Sequence, residues 1–368
     1  KMFFMIFLTG AVFAAIMHKT GAAASIAEGM VKLLGKKNVV LGVVLSTAVL
    51  TYGGVSLFII FFIMYPMALV MHKEANITKK LIPGEIALGA FTFTMTTPGS
   101  PQVQNLVPMQ FLGTPATAAF VPGWIAGAAM LGLGLLYLEY RKRSFQKKGV
   151  GFEAFDEIVA GDNKALPHFG LAIAPPIAII ILLNVVKLNI IWSMVAGILL
   201  AIGIMYKRVP SLKDWVKILN EGAASSAPVL LNTAAIVGYA GAVRLLPQFP
   251  EIIAGIKGMS MNPYYFPAIS TGLVSGIAAS SSGGLSVAYG AFTETFKSLG
   301  IPLEAVHRIS SMAAGTIDSL PHCPAVINLL VVTKLTHSDS YVDIAVTTIV
   351  IPLISVFLIL VPLTMVMF

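Results

Sequence analysis

Long apolar runs separated by short polar interruptions dominate the chain, and this pattern predicts a bundle of membrane helices. Apolar residues fill positions 116–137 and 344–368, and each run is long enough to cross a bilayer as one helix. Other runs, such as 39–55 and 267–279, end in glycine-rich or serine-rich stretches and predict helices that are broken inside the membrane. Lipid cannot satisfy irregular backbone, so we expect these breaks to face protein or a water-filled cavity.

The composition agrees with this pattern. The 368-residue chain is 57% hydrophobic and only 11% charged, whereas soluble domains carry about 25% charged residues. The net charge of +8 comes from basic residues in loops, which indicates orientation in a membrane rather than a nucleic-acid surface. The single cysteine, Cys323, excludes an internal disulfide framework. The predicted class is an all-α, polytopic membrane protein.

Two polar breaks share one pattern. Residues 98–101 and 321–324 both read Pro-x-x-Pro, and each lies four residues before an asparagine, Asn105 or Asn328. The two prolines and the two asparagines are each 223 positions apart. Such matching breaks in an apolar chain predict the two halves of one binding site.

Two glycine pairs extend the similarity between the halves. Gly53-Gly54 and Gly283-Gly284 are 230 positions apart. Duplicated halves with interrupted helices in corresponding positions point to a transporter with its site near the bilayer midplane. A concentrating transporter suits these asymmetric breaks better than a channel does.

The same alignment predicts how the chain is divided. Residues 1–140 form a first repeat, residues 141–167 a cytoplasmic linker, and residues 168–368 a second repeat. The second repeat opens with two spans, 169–186 and 190–206, that have no counterpart in the first. We therefore expect the first repeat to lack about two N-terminal helices.

Hydroxyl, amide and glycine N–H groups around the breaks are candidates to bind an anion. The predicted substrate-binding residues are Thr51, Gly53, Gly54, Ser56, Thr96, Thr97, Ser100, Gln102, Asn105, Ser281, Ser282, Gly283, Gly284, Ser286, Ser319 and Asn328. Two ordinary roles compete with binding. Glycine pairs also allow close helix packing, and serine or threonine hydroxyls often bond to carbonyls of their own helix.

Two ionisable residues in the second break, Asp318 and His322, are candidates for proton coupling. The alternative for Asp318 is an Asx turn or a salt bridge. Further upstream, Glu304, His307 and Arg308 are interpreted as a solvated helix end, with Glu304 and Arg308 paired at i,i+4.

A membrane-embedded enzyme using Ser281, Ser282 or His322 is the competing functional class. The chain has no recognisable nucleophile–base spacing and no His-x-x-x-His metal pair. No cofactor and no metal are predicted.

At these residues the sequence resembles the gluconate permease family of proton symporters. The resemblance rests on Thr-Tyr-Gly-Gly-Val-Ser-Leu-Phe at 51–58, on 91–96 with 98–105, on Asp-Ser-Leu-Pro-His at 318–322 and on 335–341. It implies a multi-pass protein of the bacterial inner membrane that imports small hydroxy acids with protons. The family's similarity to the larger ion-transporter group implies inverted repeats, re-entrant hairpins, a homodimer and elevator-type movement.

The first glycine region departs from the family pattern. Members that take up gluconate are more acidic and aromatic there, whereas this chain has Thr-Tyr-Gly-Gly-Val-Ser at 51–56. A smaller monocarboxylate such as 3-hydroxybutyrate, lactate or glycerate therefore fits the expectation better than gluconate. Sodium is the first replacement for the proton as coupling ion.

Overall fold

A computed structural model describes residues 4–34, 38–55, 57–153, 166–244, 251 and 261–368. These residues form helices joined by turns, and no β-strand occurs among them. This confirms the predicted all-α class. The helices are α1 (Phe4–Lys19), α2 (Ala22–Leu34), α3 (Val39–Tyr52), α4 (Leu57–Glu74), α5 (Ile82–Phe91), α6 (Phe93–Thr96), α7 (Val103–Leu112), α8 (Phe120–Lys147), α9 (Phe169–Asn184), α10 (Ile190–Met205), α11 (Leu212–Arg244), α12 (Tyr265–Ala278), α13 (Ser281–Ser298), α14 (Leu303–Ala314), α15 (Pro324–Thr333) and α16 (His337–Met367, with two π-helical segments).

Three of the described helices are long and apolar enough to cross a membrane: α8, α10 with its 3₁₀ extension to Arg208, and α16. Each exposes large apolar side chains, such as Leu136, Leu199 and Leu358. Outward-facing leucines suit a hydrocarbon environment and support a polytopic membrane protein. Several shorter apolar helices complete the bundle.

Both predicted proline breaks are present as non-helical segments. Residues 97–102 separate α6 from α7, and residues 315–323 separate α14 from α15. Prolines end helices because they lack an N–H and restrict the residue before them. The first break contains internal hydrogen bonds of its own.

The two glycine pairs lie in different places relative to the breaks. Gly53 and Gly54 form the turn after α3, where Gly54 adopts φ +88°. The second pair lies inside the first turn of α13, because the helix starts after Ser280. The Ser280 hydroxyl accepts a hydrogen bond from the N–H of Gly283 (3.2 Å) and so caps the helix.

Helix α8 fixes the depth of the first break. Gly127 lies against Thr97, where an added methyl carbon would be only 2.3 Å from Cγ2 of that threonine. Further along α8, Arg141 pairs with Asp343 of α16. The helix rises about 21 Å between Gly127 and Arg141. The first break therefore lies well inside the span, away from the ionic end of the bundle.

Candidate functional site

The first break is held by its own polar side chains. The Ser100 hydroxyl donates to the carbonyl of Thr94 (2.7 Å), and the Asn105 amide donates to the carbonyl of Ser100 (2.9 Å). The Gln102 amide donates to the carbonyl of Thr51 (2.6 Å) and joins the break to the turn after α3. Three predicted binding residues therefore stabilise the break itself.

A second set of contacts joins the break to its neighbours. The Tyr52 hydroxyl donates to the carbonyl of Pro98 (2.5 Å), and the Asn184 amide donates to the carbonyl of Gly99 (3.0 Å). The first glycine turn, the first break and α9 are thus brought together.

The second break presents a carboxylate to the start of α13. Asp318 is buried, and its Oδ1 accepts a hydrogen bond from the Ser319 hydroxyl (3.2 Å). The hydroxyl and the N–H of Ser281 also interact with this carboxylate. A negative charge is favourable at this position because the N–H groups of the first turn point towards it.

A chain of polar contacts links the two breaks. The Gln104 amide, at the start of α7, donates to the Ser281 hydroxyl (2.8 Å), which in turn contacts Asp318. The Ser311 hydroxyl of α14 donates to the carbonyl of Gln104 (2.8 Å). The breaks therefore lie close together, and their role as two halves of one binding site stays a prediction.

The interpretation of Glu304, His307 and Arg308 as a solvated helix end is wrong. His307 and Arg308 are completely buried, and Glu304 is not paired with Arg308 but accepts from the N–H of Ala119 (3.3 Å). The reason is that this face of α14 packs on the first break and on the segment 113–119. His307 contacts Asn105 through Nε2 (2.9 Å) and, through Nδ1, the Thr114 hydroxyl (2.7 Å).

The glycine N–H groups have protein partners in this structure. Those of Gly53 and Gly54 donate to carbonyls of α3, and those of Gly283 and Gly284 donate to the hydroxyl and carbonyl of Ser280. Close packing is a further reason for glycine at two of these positions. Gly53 lies against Pro176 of α9, and Gly284 lies against Ser275 of α12.

Several predicted hydroxyl donors bond within their own helices. Thr51 donates to the carbonyl of Thr47 (2.9 Å), Thr96 to that of Thr92 (3.2 Å) and Ser286 to that of Ser282 (2.9 Å). This is the ordinary role that competes with ligand binding.

The remaining predicted residues differ in their exposure. Thr97 is buried against α8, and Ser282 is half-buried beside Ser280. Asn328 and His322 are exposed, so the structure does not bring them to the chain formed by Gln104, Ser281 and Asp318. Ser56 lies outside the described residues.

A cavity of about 350 Å³ lies next to the first break. It is bounded by α7, by residues 115–117 and by the turn between α9 and α10, and its polar lining includes Asn184 and Lys187. A space of this size is at the lower end of the range for small-molecule sites. Within the described ranges, no cluster of three His, Cys, Asp or Glu residues could hold a metal ion.

The contacts of α14 were the main omission from the predicted site, and a signal for them existed. Glu304, His307, Arg308 and Ser311 follow the spacing i, i+3, i+4 and i+7, which places them on one face of a helix. A polar stripe of this kind in so apolar a chain indicates a helix that packs on other polar groups. Gln104, between two predicted residues, carried no comparable signal.

Comparison with known proteins gives a consistent family. The model of the GntP family permease matches residues 2–207. The chain is 38% identical to the uncharacterized transporter YxjC of Bacillus subtilis (strain 168), with 95% of this chain and 84% of that protein covered. It is 26% identical to an uncharacterized transporter of Haemophilus influenzae (strain ATCC 51907 / DSM 11121 / KW20 / Rd), with 86% and 74% covered. The chain therefore belongs to the GntP permease family, and it is a membrane transporter rather than an enzyme.

Proposed function

We propose that the protein is a proton-coupled symporter for a small hydroxy-carboxylate, of the size of 3-hydroxybutyrate, lactate or glycerate, or for a gluconate-type sugar acid. The observation that carries the proposal is the chain from Gln104 through Ser281 to Asp318, because it connects the buried carboxylate of the second break to the helix that follows the first break. Hydroxyl and amide groups of the breaks would act as donors to a hydroxy acid on exchanging their present protein partners.

Coupling follows from the position of Asp318. A substrate carboxylate brought near an ionised Asp318 would put two like charges in a buried site, which is costly. A proton on Asp318 removes that repulsion, so proton and anion are expected to load together. Ser281 and Ser319, which contact the carboxylate, can adjust their hydroxyl hydrogens to either protonation state.

The proposed architecture is a duplicated one. Residues 1–140 and 168–368 form two inverted repeats joined by the cytoplasmic segment 141–167, in a homodimer of the bacterial inner membrane that works by elevator-type movement. The matching breaks at 98–105 and 321–328 support the duplication.

Uptake into proteoliposomes tests the function. Labelled 3-hydroxybutyrate, lactate, glycerate and gluconate are each offered with an inward proton gradient, and concentrative uptake is expected for at least one. The variant Asp318→Asn should abolish the response to the gradient, whereas Glu294→Gln, which alters a well-exposed carboxylate, should behave like the wild type. Uptake that is unchanged after the gradient is collapsed would remove the proton from the proposal.

Sodium coupling is the second candidate, and one observation favours it. The hydroxyls of Thr271 and Ser275 in α12 are buried without a hydrogen-bond partner among the described residues. They lie on the helix that packs against the second break, where Gly272 and Gly276 contact Thr316 and Ile317. In transporters with broken helices, unwound backbone carbonyls and helix C-terminal ends coordinate sodium, and these two hydroxyls would add side-chain oxygen atoms beside the second break. The same vesicles with an inward sodium gradient at constant pH distinguish the two ions.

A further inference from the structure

Arg308 is a buried cation without an acidic partner. Its side chain is completely buried, and no ion pair joins it to a carboxylate within the part of the chain that is described. Its guanidinium donates instead to three backbone carbonyls, those of Thr96, Ala116 and Ala118. Carbonyls carry only partial charge, and buried charges are normally paired with an opposite one. This arrangement leaves a net positive charge beside the first break.

Two of these carbonyls accept hydrogen bonds from the edge of the guanidinium that commonly binds carboxylates. Nε donates to the carbonyl of Ala118 (3.0 Å) and Nη2 to that of Ala116 (3.2 Å). These two N–H groups form the side fork of an arginine, which binds both oxygens of a carboxylate in parallel. The carbonyl pair at 116 and 118 therefore lies where the two oxygens of an anion would fit.

The segment that supplies these carbonyls is also the wall of the cavity. Residues 115–117 line the 350 Å³ cavity on one side, while the carbonyl of Ala116 faces Arg308 on the other. The segment is non-helical between α7 and α8, and it is bounded by Gly113 (φ +70°) and Ala119 (φ +46°). A single stretch of backbone thus separates the buried cation from the space outside it.

We propose that Arg308 binds the carboxylate of the transported anion, and that the carbonyls of Ala116 and Ala118 hold its side fork until the anion displaces them. The proposal rests on the proposed function, since it assigns the anion-binding residue of that transporter. Displacement of residues 115–118 would open Arg308 to the cavity. The anion would then supply the full negative charge that the carbonyls lack.

Ligand-induced thermal stabilisation of the full chain in detergent tests the assignment. Sodium 3-hydroxybutyrate, lactate and gluconate are compared with sodium chloride at equal ionic strength, and 3-hydroxybutyramide serves as the uncharged analogue. We expect at least one carboxylate, and not the amide, to raise the unfolding temperature of the wild type. Arg308→Lys keeps a positive charge but loses the fork, and should weaken the apparent affinity roughly 10- to 100-fold. Stabilisation by no carboxylate, or equal stabilisation of wild type and variant, would overturn the proposal.

Because Arg308 variants risk failing to fold, a second measurement leaves Arg308 in place. In a Cys323→Ala background, Ala118→Cys introduces the only thiol at a buried position of the displaced segment. Addition of 3-hydroxybutyrate, lactate or gluconate should raise the rate of maleimide labelling several-fold, whereas Ala126→Cys, buried in α8, should stay unlabelled. An unchanged or slower rate at Ala118→Cys with all three acids would contradict the displacement.

The two proposals fail in different ways. Concentrative uptake by a protein whose Arg308→Lys variant retains its affinity, and whose Ala118→Cys labelling does not respond, would refute the role of Arg308 alone. Carboxylate stabilisation that requires Arg308, in a protein without uptake of any of the acids, would refute transport of these substrates and leave the binding residue in place.

Discussion

Gly284→Ala tests whether the second glycine pair serves helix packing. An alanine there would place its methyl carbon 2.2 Å from Oγ and 2.3 Å from Cα of Ser275. Rotation of the serine side chain can relieve the first contact, but the second involves backbone. Ordinary carbon–carbon contact begins at about 3.5 Å, so α12 and α13 must separate by roughly 1 Å.

The expected change in the free energy of unfolding combines two opposing effects. Overpacking of this kind costs about 1–3 kcal/mol, and the gain in helix propensity from glycine to alanine returns at most about 1 kcal/mol. Because the clash involves backbone, the upper part of the first range applies, and we expect a net loss of roughly 1–2 kcal/mol. Gly203 in α10 is a matched control, since nothing lies within 4 Å of its added methyl position.

Thermal unfolding in detergent and vesicle uptake provide the measurements. Gly284→Ala should unfold at a lower temperature than the wild type, while Gly203→Ala should be neutral or slightly more stable. Uptake should also fall, because a shift of α13 stretches the 2.8 Å contact between Gln104 and Ser281. Alanine keeps the backbone N–H of residue 284, so the substitution changes the packing of the helix and not its backbone hydrogen bonds. An unchanged unfolding temperature for Gly284→Ala would therefore refute the packing argument.

Two further predictions concern charges away from the breaks. Asp343→Asn should lower the unfolding temperature, because the buried carboxylate accepts hydrogen bonds from Arg141 (2.6 Å) and Tyr137 (2.7 Å). The expected loss in the free energy of unfolding is roughly 1.5–3 kcal/mol. An unfolding temperature equal to that of the wild type would contradict this. Glu85→Ala should be less stable than Glu85→Gln in the same assay, because only the glutamine keeps a hydrogen-bonding group for the buried His72, whose Nε2 is 3.0 Å from the carboxylate. Equal stability of the two variants would show that this contact contributes little.

The breaks and helices were predictable because their signals are local. Proline and glycine interrupt an apolar run wherever they occur, so the segments 97–102 and 315–323 follow from the sequence around them. The turn between α9 and α10 is equally local. The serine-rich stretch after residue 279 is helical almost throughout, because Ser280 caps α13 and the glycine pair falls inside its first turn.

The composition of the site was harder to predict because its partners are distant in sequence. Arg308 donates to carbonyls 190 and 192 residues away. A local sequence pattern does not identify which backbone carbonyl will accept a hydrogen bond from a distant side chain. The polar spacing on α14 indicates that the face is packed, but not against which segment. The proximity of the breaks could be anticipated because the two share a motif, whereas Arg308 lies outside that motif and Gln104 corresponds, at the offset of 223, to the apolar Ile327.

The proposed repeat relates Arg308 to a second buried charge that precedes a break. The offset of 223 positions relates Arg308 to Glu85, and both lie in the helix that precedes a break. Glu85 has its partner, His72, in its own half of the chain, whereas the carbonyls to which Arg308 donates, among the described residues, belong to the other half. In the proposed elevator-type movement of one half relative to the other, the Glu85 contact would be kept and those of Arg308 would be broken. A cation that must exchange partners when the halves move is well placed to bind an anion during that movement, since a transported carboxylate would stabilise the state in which the carbonyls have left.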